Sequence, residues 1–290
     1  MAKLTGVGVA LITPFTKDSS QVDYESFKKL IDNLNPYVDY FVVNGTTAES
    51  PTLSQQEKQD ILYFVQENNV DKKPIVFGLG GYNTKGIISI FNEMDLSGVD
   101  AILSVSPQYV RPSQAGIIEH FNVLADAFTK PIILYNVPSR TGSNMSSETT
   151  ITLSQHHNII GIKEASGDIP QCMEIAAQKS DDFLLISGDD SITIPLISVG
   201  GVGVISVIAN GLAQPFYKAV HQALEGDFKA ARETYFPIMK LNQLLFEEGN
   251  PSGIKAVCEL KKLGNATVRL PLVKASEPLT EKLKKQLGLI

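Results

Sequence analysis

The sequence predicts an α/β fold: a (β/α)8 barrel over residues 1–225, followed by a small helical domain over 226–290. Three observations carry this reading. Eight short apolar runs of strand type recur between Gly6 and Val207. Segments with helical spacing of apolar residues lie between them. After about Glu225 the strand signal stops and only helical patterns continue.

The first run, Gly6–Ile12, contains Gly6-x-Gly8 but leads into Val9-Ala10-Leu11 rather than a helix. A doubly wound nucleotide-binding sheet advertises a glycine-rich turn there, so the barrel is the better fit. Asp23 opens Tyr24–Leu34, where Phe27, Leu30, Ile31 and Leu34 form an i, i+3, i+4, i+7 stripe. Tyr40–Val43 is the second strand. Ser54 with Glu57 three residues later is a capping box, and Ile61, Leu62 and Val65 continue that helix. Ile75–Phe77, Ala101–Val105, Ile132–Tyr135, Ile159–Lys163, Leu184–Ser187 and Gly203–Val207 follow as strands. Thr84, Ser113, Ser146 and Asp168 are the expected N-caps of helices among them. The repeat spacing suits a strand plus a crossover helix. In the tail, Phe228–Phe246, Ile254–Leu263 and Leu279–Leu287 read as helices, with Gly264-Asn265 and Pro271 as punctuation.

Composition excludes several function classes. Lys plus Arg number 25 against 31 Asp plus Glu, a net charge of −6 with no basic run, which argues against nucleic acid. No apolar run reaches the length of a membrane span. The apolar segment from Thr5 runs into Thr13-Pro14 without a small-residue cleavage site, so a signal peptide is not expected. Cys172 and Cys258 alone suggest neither a disulfide framework nor a zinc site. None of His120, His156, His157 and His221 has a helical i, i+4 partner. The expectation is a cytoplasmic protein without a metal, which disfavours a divalent-metal aldolase and leaves a lysine route.

Barrel sites gather at the C-terminal ends of the strands. The run Ile159–Lys163 ends on a lysine, and strand alternation puts Ile159, Gly161 and Lys163 on one face. A lysine there either snorkels to water or, if desolvated, falls below the usual pKa of about 10.4. In the neutral form it can attack a ketone or aldehyde and form a Schiff base. After the second run, Gly45-Thr46-Thr47 offers hydroxyls and backbone N–H groups as an anion cradle, or simply a capped polar turn. After the fourth, Pro107 and Pro112 stiffen a loop that holds Tyr109 exposed. The fifth ends in Tyr135, whose phenol can face the barrel mouth near Lys163, and Arg140 follows on a loop where it could clamp a carboxylate. Ser187-Gly188-Asp189-Asp190 carries two carboxylates after the seventh run, which disfavours a phosphorylated substrate. Gly200-Gly201-Val202-Gly203 reads equally as a close approach to ligand or a tight turn into the eighth strand, and Gly78-Leu79-Gly80-Gly81 lacks the dinucleotide spacing.

Four motifs together, Gly45-Thr46-Thr47-x-Glu49-Ser50, Tyr135-Asn136-Val137-Pro138-Ser139-Arg140-Thr141-Gly142, Gly161-Ile162-Lys163-Glu164-Ala165 and Ser187-Gly188-Asp189-Asp190, resemble the dihydrodipicolinate synthase family from about Thr5 to the end of the chain. The Pro-Ser-Arg-Thr-Gly stretch separates it from the sialic acid lyases, which share the lysine and tyrosine. The resemblance implies that Lys163 forms a Schiff base with pyruvate. Tyr135 would donate and accept protons, with Thr46 relaying them to a Tyr109 that reaches in from a neighbouring subunit. Thr47 and Ile205 would hold the pyruvate carboxylate, Gly188 would line the site, and Arg140 would bind the carboxylate of L-aspartate 4-semialdehyde. It further implies a homotetramer built as a dimer of dimers, no cofactor, and a place in lysine and diaminopimelate biosynthesis. Ala48, commonly glycine in the family, and Gln108, often a tyrosine, are departures. Two other readings stand beside this one. The chain could be a sister aldolase acting on N-acetylneuraminate or a 2-keto-3-deoxy sugar acid, or a non-catalytic sensor of a keto acid.

The resemblance also implies a regulatory cleft for lysine at Ser50, Gln55, Lys58, Gly80, Tyr82, Gly86 and Gln108. Lysine-sensitive bacterial members have asparagine and glutamate where Tyr82 and Gly86 stand. A desolvated ammonium needs a partner, which glycine does not supply. Asn83 could stand in for the asparagine, but nothing replaces the glutamate, so weak or absent lysine feedback is expected.

Overall fold

The computed structural model describes residues 4–289. Residues 1–3 and 290, which the divisions 1–225 and 226–290 include, lie outside the described residues. Eight parallel strands close into a barrel in sequence order: β1 Gly6–Ala10, β2 Tyr40–Val43, β3 Ile75–Gly78, β4 Ala101–Val105, β5 Ile132–Asn136, β6 Ile159–Glu164, β7 Leu184–Ser187 and β8 Gly203–Ser206. β1 pairs with both β2 and β8, so no strand edge is left open.

The helices are α1 Tyr24–Leu34, α2 Gln55–Asn68, α3 Thr84–Glu93, α4 Gln114–Ala127, α5 Pro138–Thr141, α6 Ser147–Ser154, α7 Ile169–Gln178, α8 Thr193–Ser198 and α9 Ala209–Leu224. After the barrel come α10 Phe228–Leu245, α11 Ser252–Leu260 and α12 Glu277–Gln286, with α10 packed on α9 and α12. Asp23, Ser113, Ser146 and Asp168 cap their helices with side-chain hydrogen bonds, and Ser54 and Glu57 form the full capping box. The expected cap at Thr84 is corrected. Asn83 accepts from the Gly86 N–H, and Thr84 is the first helical residue. Asparagine ranks above threonine as an N-cap, its side-chain oxygen accepting from the third N–H.

Alternation sorts each strand into two cores. Val7, Val9, Phe41, Phe77, Ile102, Leu134, Ile162 and Leu185 point outward and pack under the helices. Ala10, Tyr40, Val42, Val76, Leu103, Ile133, Tyr135, Ile186 and Ile205 fill the barrel interior. Each valine, leucine, isoleucine or phenylalanine among them, taken fully from water, contributes roughly 1.5–3 kcal/mol. Large and small residues interlock in the interior: a Cβ at Gly8 would lie 2.1 Å from the Tyr40 ring.

β6 departs from strict alternation. Ile132 pairs with Ile159 but Ile133 pairs with Gly161, so Ile160 is an extra residue in the strand. This bulge puts Ile159 in the outer core while Gly161 and Lys163 turn inward, so the single face expected for Ile159, Gly161 and Lys163 is broken. Gly161 is needed for contact between strands: a Cβ there would come within 2.6 Å of the Leu184 carbonyl oxygen. The glycines around β8 also have a structural role. Gly203 has φ +148° and a Cβ on it would collide with Gly6, so this stretch is a turn into the strand at the end of the barrel remote from Lys163.

Candidate active site

A cavity of about 220 Å³ opens at the C-terminal ends of the strands, sized for a small metabolite. Lys163, Tyr135, Thr46, Thr47 and Arg140 all line it, with Ala10, Val42 and Leu103 as its apolar floor. Lys163 is 6% exposed. Register sets its neighbour: Tyr135 and Lys163 are direct partners across β5 and β6, and Lys163 Nζ stands 4.3 Å from the Tyr135 ring centroid. No carboxylate among the described residues lies within ion-pair distance of that amine. Gly188 presses on the lysine stem, since an added Cβ would lie 3.0 Å from both Cγ and Cε of Lys163 and 2.6 Å from the Ala165 Cβ.

The loop after β2 is a 3-10 turn, Thr46–Ala48, entered through Asn44 at φ 61° and left through Glu49 at φ 58°. Ala48 is not among the positive-φ residues, so its methyl group in place of hydrogen causes no backbone strain. Asn44 donates to the Gly78 carbonyl at 2.8 Å and Thr13 to the Ala48 carbonyl at 2.8 Å, which pins the turn from below.

Arg140 sits on the one-turn helix α5, which starts at Pro138 and stops at Gly142 with φ 75°. Its Nη2 donates to the Asn250 carbonyl at 3.3 Å, and the side chain is otherwise exposed at the mouth. Tyr109 has φ 69° and is 87% exposed, outside the cavity of its own chain. Ile205 lies in the barrel interior, 1% exposed, and its side chain does not line the cavity.

Glu164, next to Lys163, faces the other way. It is fully buried and accepts from Asn136 at 3.0 Å, Gln171 at 3.0 Å and the Ser166 N–H at 2.7 Å, so amides rather than a cation satisfy it. The two carboxylates after β7 are also spoken for. Asp189 accepts from the Ser191 N–H at 2.8 Å, and Asp190 from the Val207 and Ile208 N–H groups at 3.0 and 2.9 Å, just beyond Ile205. Burial pushes the Asp190 carboxyl up to about 6.

Sequence reasoning missed a buried network from the C-terminal segment. Asn250 Nδ2 donates to Thr47 Oγ1 at 3.0 Å. Lys255, with no exposed surface, forms an ion pair with Glu49 and donates to the Thr267 carbonyl at 2.8 Å. Burial pulls the Lys255 amine down to about 8, against the pull of Glu49. The Arg269 N–H donates to the second Glu49 oxygen at 2.9 Å, and its guanidinium grips Glu57 with two bonds, holding that carboxyl below its usual range. The one local signal is Glu49 itself, a carboxylate in the turn after β2 that must find a partner once buried.

Comparison with known proteins agrees with this geometry. The model of the "Dihydrodipicolinate synthetase family" matches residues 3–289. A 4-hydroxy-tetrahydrodipicolinate synthase from Cytophaga hutchinsonii is 46% identical over 280 residues, covering 96% of this chain and 94% of the relative. Dihydrodipicolinate synthase from Aquifex aeolicus superposes with a TM-score of 0.93 at 35% identity, over 99% of this chain and 98% of that one. A chloride-inhibited dihydrodipicolinate synthase from Acinetobacter baumannii, complexed with pyruvate, gives 0.94 at 32% identity, over 99% and 100%. A family model over nearly the whole chain, with relatives matched end to end, leaves one assignment: the chain belongs to the dihydrodipicolinate synthetase family.

Proposed function

We propose that the chain is a 4-hydroxy-tetrahydrodipicolinate synthase, a lyase of lysine and diaminopimelate biosynthesis that condenses pyruvate with L-aspartate 4-semialdehyde. The observation that carries this is the buried, unpaired Lys163 amine against the Tyr135 ring in a cavity that Arg140 overlooks. The Lys163 amine attacks the C2 ketone of pyruvate and water leaves, giving an iminium that serves as the electron sink. Loss of a methyl proton gives the enamine, whose carbon attacks the aldehyde and forms the new carbon–carbon bond. The semialdehyde's own amine then displaces Lys163 and closes the ring. In this reading Tyr135 moves these protons and the Thr46 hydroxyl relays them. Thr47 holds the pyruvate carboxylate with the backbone near Ile205, and Gly188 gives the lysine stem its room. Arg140 pairs with the carboxylate of the semialdehyde. The scheme requires no cofactor and no metal.

A cation at Arg140 suits an anionic aldehyde better than the polyhydroxylated substrates of N-acetylneuraminate lyase or a 2-keto-3-deoxy sugar acid aldolase. The complete set of reactive side chains makes a non-catalytic sensor the weaker reading. Tyr109 serves a neighbouring subunit in this reading, which its 87% exposure and that of Val110 beside it, 55%, support. We infer from this a homotetramer of two dimers in which Tyr109 is shared. No helix among the described residues is long and apolar enough to cross a membrane, and a biosynthetic role places the enzyme in the cytoplasm. The test is pyruvate with borohydride, followed by peptide mass mapping. A reduced three-carbon adduct at Lys163 with loss of activity is expected; an adduct elsewhere, or none, would sink the mechanism. A coupled assay with L-aspartate 4-semialdehyde beside one with N-acetylneuraminate separates the two aldolase readings.

A further inference from the structure

In the segment between α10 and α11, Asn250 hydrogen-bonds to the barrel mouth. Asn250 is 8% exposed. Its Nδ2 donates to Thr47 Oγ1 at 3.0 Å, while its backbone carbonyl accepts from Arg140 Nη2 at 3.3 Å. The Asn250 Oδ1 is buried without a hydrogen-bond partner. Among the described residues the Thr47 hydroxyl makes no other hydrogen bond, and Thr47 lines the cavity.

A threonine hydroxyl has one proton and two lone pairs. An amide N–H pointed at the oxygen fills one lone pair and turns the hydroxyl's own proton away from itself. That proton is then free to meet an acceptor in the cavity. We propose that Asn250 is a positioning residue: its side-chain amide orients the Thr47 hydroxyl as a donor to the keto-acid carboxylate, and its carbonyl tethers Arg140. A single residue of the C-terminal segment thereby sets the contacts for both anionic substrates. The proposal rests on the reading of Thr47 as the holder of the pyruvate carboxylate.

Asn250→Asp keeps the shape and inverts the chemistry. A carboxylate accepts only, so it takes the Thr47 proton for itself and adds negative charge beside the anion site. Asn250→Ala removes the orientation without adding charge. The experiment measures the pyruvate concentration that half-saturates borohydride trapping at Lys163, with no aldehyde present, so that Arg140 does not enter. The proteins are the wild type, Asn250→Asp, Asn250→Ala, Thr47→Val and the Asn250→Ala/Thr47→Val double variant, each checked for folding by thermal melting. We expect Asn250→Asp to raise the half-saturating concentration at least tenfold and Asn250→Ala about threefold. The double variant should match Thr47→Val alone, because the amide has no hydroxyl left to orient; a residue that only braces the fold would give effects that add. Wild-type half-saturation in both Asn250 variants, or additive effects in the double variant, overturns the proposal. Should Asn250→Asp not fold, Asn250→Ala and the cycle decide alone. If Thr47→Val itself behaves as wild type, the Thr47 reading fails and takes this proposal with it; an effect at Thr47 without one at Asn250 sinks only the role of Asn250.

Discussion

Gly188 shows how little room surrounds the Lys163 stem. A methyl group there would press on Cγ and Cε at 3.0 Å and on the Ala165 Cβ at 2.6 Å. Overpacking of this kind costs roughly 1–3 kcal/mol, and here the softest neighbour is the lysine stem. Gly188→Ala should therefore slow pyruvate trapping at Lys163 tenfold or more, which timed borohydride quenching would show, while lowering the melting temperature by only about a few degrees. Arg140 makes the opposite kind of contribution, at the exposed rim of the cavity. Arg140→Ala should cost ~2–4 kcal/mol of transition-state stabilisation toward L-aspartate 4-semialdehyde, about 30-fold to 1000-fold in kcat/KM, because charge-assisted bidentate pairs are the strong class. Trapping of pyruvate should survive; unchanged kinetics with the semialdehyde would instead favour a sister aldolase.

At the scale of elements, two buried carboxylates tie loops to strands and respond differently to substitution and pH. Asp190 holds the turn after β8 through the Val207 and Ile208 N–H groups, and burial raises its carboxyl from 3.8 to about 6. A carboxyl raised on folding binds more protons in the native state between those values, so its ionised form weighs against stability above pH 6 and the penalty fades below about pH 4. The stability of Asp190→Asn minus that of the wild type should accordingly shrink by about 2 kcal/mol as pH falls from 7.5 to 4. Denaturant titrations at both pH values check this, and a constant difference would contradict it. Glu49, in contrast, depends on Lys255. Lys255→Met should destabilise by about 3–5 kcal/mol, because it strands a buried carboxylate, and should raise KM for pyruvate as the Thr46–Thr47 turn loosens. The strands, the caps at Asp23, Ser54, Ser113, Ser146 and Asp168, and the position of Lys163 beside Tyr135 are legible in the sequence because short-range periodicity and capping chemistry encode them. The Ile160 bulge and the cap at Asn83 are not, since neighbours across the sheet and competition between adjacent polar residues decide them. Asn250, Lys255 and Arg269 leave no local trace at all: their contacts with Thr47 and Glu49 span more than 200 residues.

For the whole molecule, the positions at which the family resemblance implies a lysine cleft offer an incoming ammonium little to pair with. Tyr82 is 61% exposed, Lys58 is half-buried on α2, and a Cβ at Gly86 would press on the Asn83 side chain. Asn83, the one candidate to replace the missing asparagine, uses its Oδ1 to cap α3. No carboxylate stands at Gly86 to pair with an incoming ammonium, and Lys58 adds a like charge. Initial rates across a lysine titration should thus show weak or absent inhibition. Half-inhibition below about 1 mM, equivalent to roughly 4 kcal/mol of binding, would contradict this expectation.

The Glu49 contacts also carry information about time. Glu49 belongs to the first fifth of the chain, yet its partners Lys255 and Arg269 lie 206 and 220 residues downstream. A growing polypeptide emerging from the ribosome can pair its early strands and still hold an unneutralised acid at the rim until those two residues arrive. A chain cut short before Lys255 therefore leaves the Glu49 carboxylate at the rim without either of these partners.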